Sequence, residues 1–163
     1  MSINRRFAAL GMCGCLGFFG FLLLATHPTF AQSPARRALA TAKSLACVFP
    51  VYATGSWKNG QPQAEVKTTT LSLLFDSINT EDGTARVAGA FGPSDIIVRL
   101  SQGNLHLMQV FDAGPLYTTT VFDKETSSGK LQAVHTRHEY TDISLPGFTS
   151  RPEQYYGECE VRP

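Results

Sequence analysis

Turn dipeptides punctuate this chain: Asn59-Gly60, Asp82-Gly83, Gly92-Pro93, Gly103-Asn104, Gly114-Pro115, Ser128-Gly129 and Pro146-Gly147, several of them about ten residues apart. That spacing leaves room for short strands joined by tight turns and little else. The intervening runs are rich in Thr, Val, Ile, Leu, Phe and Tyr, residues that suit a pleated, half-buried surface. Strands are expected near 45–52, 63–69, 71–78, 84–91, 95–101, 105–112, 116–123, 131–140 and 155–161, the second and third being either separate or one long bent strand. No stretch after residue 31 has a convincing helical period. Residues 35–43 have helical propensity, but a segment so short and isolated is expected to be a frayed helix or a tether.

Alternation assigns the faces of these strands. Leu45, Cys47, Phe49 and Val51 form one apolar face, and Tyr155, Gly157, Cys159 and Val161 form another. Ala85, Val87, Gly89 and Phe91 line up, as do Ile96, Val98 and Leu100, with Arg86 and Arg99 pointing outward. Short turns imply a meander in which each strand is antiparallel to the last. About eight twisted strands can close on themselves and so remove both open edges. Closure would set the first and last strands side by side, each carrying one cysteine. An open two-layer sandwich could also bring them together.

The leader fixes the compartment. Arg5 and Arg6 precede an uncharged apolar run at residues 7–25, and Thr29-Phe30-Ala31 offers small residues at the −3 and −1 positions of a cleavage site. Residues 1–31 therefore read as a signal peptide or, uncleaved, a membrane anchor with a helix of the required length. Residues 32–44 read as a linker and 45–163 as one β-domain. Two of the four cysteines, Cys13 and Cys15, fall inside the leader, which leaves Cys47 and Cys159. An exported chain meets oxidising conditions, so a structural disulfide between them is expected, in a periplasmic or secreted protein or one tethered to the inner membrane.

Charge narrows the partners. Without Arg5 and Arg6 the chain carries twelve basic and thirteen acidic residues. No basic stripe interleaved with aromatics appears, so no nucleic-acid partner is expected, and the membrane is expected to be touched only through the leader, if that is uncleaved. Gly-x-Ser-x-Gly, His-Glu-x-x-His, phosphate-cradling glycine loops and EF-hand loops are all missing from the sequence. The reading assigns no metal and no cofactor.

Two clusters hold what chemistry there is. In the first, residues 133–140, His135, Arg137 and Glu139 share one face of a strand, while Thr136, His138 and Tyr140 share the other. The two histidines cannot chelate one ion from opposite faces unless a bulge intervenes. The plain expectation is an exposed His135–Arg137–Glu139 ladder and a buried His138 beside Tyr140. The second cluster, residues 151–159, closes the longest connection in the chain and places Tyr155 and Tyr156 on opposite faces; Gly157 there permits a bulge or close backbone approach. Trp57, the single tryptophan, either plugs one end of a barrel or forms a binding wall.

The segments Ala133-Val134-His135-Thr136-Arg137-His138 and Gln154-Tyr155-Tyr156-Gly157-Glu158-Cys159 resemble small exported alphaproteobacterial proteins of unassigned function, whose pattern is A-V-H-S-R-H followed by P-S-Q-Y-Y-G-x-C. The likeness covers roughly the last 100 residues, with Thr136 in place of serine and Arg151-Pro152-Glu153 ahead of Gln154. It implies neither a ligand nor an activity. The sequence thus points to an all-β, antiparallel up-and-down meander closing into a small barrel, lipocalin-like in the loose sense. The leading expectation is a non-catalytic module that binds a small molecule or an envelope partner through Trp57, His135, Arg137, His138, Tyr155 and Tyr156. The alternatives are an enzyme using His138 as base with Tyr140 and Arg137, and a purely structural, filled barrel.

Overall fold

Residues 33–89, 92–112, 114–138 and 151–163 are described by a computed structural model. Helix α1 (Pro34–Thr41) precedes eight strands: β1 (Ser44–Lys58), β2 (Gln61–Asn79), β3 (Thr84–Gly89), β4 (Gly92–Ser101), β5 (Asn104–Val110), β6 (Leu116–Glu125), β7 (Leu131–His138) and β8 (Glu153–Arg162). Each strand pairs antiparallel with the next, and β8 pairs with β1, so the meander runs as a ring. The expected segments 63–69 and 71–78 are one strand, β2. Among the described residues no helix is long and apolar enough to cross a membrane. The leader expected at residues 1–31 lies outside them.

The seam of the ring carries the disulfide. Cys47 stands directly opposite Cys159 in the β1–β8 register, the two are bonded, and both are fully buried. Beyond Phe49 the β1 register slips against both neighbours. Pro50 stands at the slip, where a residue with no N–H to donate is best tolerated. The bulge reverses the parity of β1: Leu45, Cys47 and Phe49 face in before it, and Thr54 is buried beyond it, with Tyr52 packed on the core. Simple alternation put Val51 inward. The bulge instead puts Tyr52 there, stacked on Tyr155 with ring centroids 5.3 Å apart. Gly157 faces this bulge, and a Cβ on it would lie 2.0 Å from the Val48 carbonyl oxygen and 2.7 Å from Phe49 Cα. Close backbone approach is what demands glycine here.

One end of the ring is filled and covered. Leu39 of α1 is fully buried, and Ala35 and Ala42 nearly so. Ser33 caps the helix by accepting from the Arg36 amide at 3.0 Å, and its hydroxyl donates to Asp123 on β6. Just after the helix, Lys43 accepts from the Ile78 amide of β2 at 3.1 Å. The segment read as a tether is therefore a docked helix, because Leu39 gains a place in the core that isolated helix propensity does not reveal. Leu45, Ile78, Val98, Leu105 and Val121 belong to the same core. Leu100, expected to face in, lies beside the Gln102-Gly103 turn and is 38% exposed.

At the opposite end the β1–β2 hairpin extends past its neighbours, since β8 stops pairing at Thr54 and β3 begins pairing at Leu74. Asn59 and Gly60 both have positive φ, as a two-residue hairpin turn requires. Trp57 sits on this extension and is 64% exposed. It is not a buried end-plug, because the hairpin that carries it extends past the neighbouring strands.

Candidate ligand-binding site

Toward the end of the ring away from α1, the interior is hollow, with a cavity of about 280 Å³. Six strands contribute to its walls, β2 through β7. Leu71, Leu73 and Phe75 come from β2, Val87 from β3, Ile96 from β4 and Leu107 from β5, each at the inward parity of its strand. On the β3–β4 side the lining includes the small residues Ala88, Gly92 and Ser94, of which Ala88 and Gly92 are exposed.

The polar side of the cavity is built on β7. His135 is 4% exposed, against an expectation that placed it in solvent and His138 in the core. Leu131 and Ala133 are buried at the same parity, and that parity carries His135 inward and His138 outward. His138 is exposed and does not line the cavity. The rings of Phe49, Tyr117 and Tyr155 surround His135 at centroid distances of 5.8, 5.9 and 5.6 Å. Its Nε2 accepts from Arg137 Nε at 3.3 Å, and its Nδ1 lies 2.9 Å from Thr119 Oγ1. With Nε2 accepting, the ring proton belongs on Nδ1 and is donated to the threonine oxygen. Burial, and then the neighbouring Arg137 cation, push the His135 pKa down to about 3. The imidazole is neutral across the physiological range.

Arg137 lies over two aromatic rings, with its guanidinium carbon 5.2 Å from the Tyr117 ring centre and 5.0 Å from that of Tyr155. Such stacking suits a planar, weakly hydrated cation. Tyr155 is itself held by Tyr52 and by a hydrogen bond to Glu153, to which its hydroxyl donates. Burial, reinforced by that carboxylate, raises the Tyr155 phenol well above its ordinary value. Phe111 packs edge-on against Tyr117 at 4.9 Å. Among the described residues Arg137 forms no ion pair, and its one hydrogen bond is the bond from Nε to His135.

The residues singled out in the sequence thus separate. His135 and Arg137 line the cavity, and Tyr155 supports Arg137 from behind. Trp57, His138 and Tyr156 are exposed and outside it; the Tyr156 hydroxyl reaches Gln154. Tyr140 and Glu139 lie outside the described residues. Tyr117, Thr119, Phe111, Gln109 and Ser94 belong to the site and were not foreseen. The parity of β6 set by buried Val121 would have placed Thr119 and Tyr117 inward, but a threonine run gives no apolar alternation to read. Among the described residues no three His, Cys, Asp or Glu side chains come together as a metal site. Comparison with family models, curated proteins and solved structures finds no match to this chain.

Proposed function

We propose that this protein is an exported, non-catalytic module that binds a small molecule inside a lipocalin-like up-and-down barrel. The observation that carries the reading is the hollow, mainly apolar cavity with a few convergent polar groups on one wall, the usual composition of a small-ligand site. Its size is near the lower end of the roughly 300–1,000 Å³ usual for small-molecule pockets, so the ligand is small. The buried Cys47–Cys159 bond supports an oxidising, extracytoplasmic setting.

Binding is favoured over catalysis by the state of the histidines. A general base works best with a pKa near the operating pH. His135 is far below it, with both ring nitrogens occupied. His138, the base of the enzymatic alternative, faces away from Arg137.

The test uses disulfide-bonded protein purified from cells exporting the full chain. An environment-sensitive apolar fluorophore is expected to bind wild type and to brighten. Ser94→Trp, which fills the cavity from its β3–β4 side, is expected to weaken binding at least tenfold while circular dichroism stays unchanged. Equal binding by folded Ser94→Trp and wild type would reject the cavity as the site.

A further inference from the structure

The cavity lining is electrically lopsided. Among its described residues Arg137 is the one cationic side chain and none is a carboxylate, with His135 neutral. Arg137 is half-buried, and its guanidinium carbon lies over the rings of both Tyr117 and Tyr155. Its inner Nε is spent on His135, while its Nη groups have no acceptor among the described residues. A cation partly removed from water with a fork of donors unused is a costly arrangement unless an anion completes it. The nearest carboxylate in register, Glu153 opposite Arg137, is engaged by the Tyr155 hydroxyl and makes no ion pair with the arginine. Thr119, whose oxygen already accepts from His135, retains its own hydroxyl proton as a second donor on the same wall.

Resting on the small-molecule reading above, we propose that the ligand is a monoanion with an apolar body, most simply a carboxylate, whose charged end binds the Nη edge of Arg137. The planar fork matches a carboxylate in bidentate fashion. Leu71, Leu73, Phe75, Val87, Ile96 and Leu107 then cover the apolar body. A dianion such as a phosphate monoester would set two negative charges against one cation with Glu153 close by, which disfavours it. His135 is a positioning residue: bonded to Arg137 Nε and backed by Thr119, it fixes the guanidinium plane without touching the ligand charge.

Octanoate and 1-octanol, alike in tail and different in charge, are titrated calorimetrically at pH 7 into wild type, Arg137→Gln and Ser94→Trp. Wild type is expected to bind octanoate roughly tenfold or more tightly than octanol, as a charge-assisted bond predicts. Arg137→Gln is expected to bring the ratio close to one, and Arg137→Lys to restore part of it. Equal affinities in wild type, both lost in Ser94→Trp, would overturn the anion inference and leave the cavity reading standing. A preference for octanoate that survives in Arg137→Gln would also overturn it. No binding of either compound by wild type, or undiminished binding by Ser94→Trp, would remove the cavity reading and this inference together. Should Arg137→Gln fail to fold, the wild-type ratio alone decides.

Discussion

His135 has both ring nitrogens bonded and three aromatic neighbours, so protonating it would break the bond from Arg137 and set two cations side by side. Its folded pKa of about 3 lies below the ordinary 6.5. As pH falls below about 6.5, the unfolded chain takes up a proton that the native protein refuses. Stability therefore declines from there down to about pH 3, with a slope near 1.4 kcal/mol per pH unit from this residue alone. His135→Gln can keep both hydrogen bonds while losing the titration. Denaturant melts between pH 6 and 4 are expected to show a slope shallower by about that amount, and an unchanged slope would mean that His135 titrates normally. Gly157→Ala tests a different local constraint, because its Cβ would strike the backbone of Val48 and Phe49 rather than a yielding side chain. A loss of about 3 kcal/mol or more, or no soluble protein, is expected. Gly157 was legible from the sequence as a point of close approach or a bulge, and the structure shows the first. The inward histidine was not: His135 and His138 offer opposite parities, and the tie is broken by Leu131 and Ala133, whose pairing with β8 only the ring supplies.

Helix α1 shows where reading one segment at a time fails. Eight residues without strong internal support would fray in isolation. The helix persists because Leu39 is fully buried and Ser33 joins its first turn to Asp123. Leu39→Ala is expected to cost about 2–5 kcal/mol in urea denaturation, the range for a buried leucine. Ser33→Ala should cost about 1 kcal/mol through loss of the cap. Hydrogen exchange of the Ile78 amide, which donates to Lys43 just after α1, should quicken in Leu39→Ala if the helix undocks as a unit. Exchange unchanged at Ile78 despite the lost stability would place the damage elsewhere. The bulges at Pro50 and near Ser77 were illegible for a related reason. Each shifts strand parity by one, moving Tyr52 and Ile78 inward, and a bulge is fixed by the partner strand as much as by its own residues.

Ring closure was the most legible property of the molecule, since regular turn spacing dictates an antiparallel meander and the two cysteines beyond residue 31 mark its ends. What the turns could not give was the interior volume, which depends on how six strands place small and large residues at one level. Closure itself rests on two devices that can be separated. The β1–β8 ladder runs from Ser44 opposite Arg162 to Thr54 opposite Glu153, and the disulfide spans a sequence separation of 112 residues within it. Removing the bond leaves the ladder, so Cys47→Ala/Cys159→Ala should keep its far-UV spectrum while the unfolded chain regains the freedom of a long loop. The expected loss is about 4–5 kcal/mol from the urea midpoint, with the same variant still binding the cavity fluorophore. A double variant that unfolds outright would mean that the ladder cannot hold the first and last strands together alone. An unchanged midpoint would mean that the bond adds nothing to closure. The expected result lies between these, because hydrogen bonds position the seam in the folded protein whereas the disulfide acts mainly on the chain once unfolded.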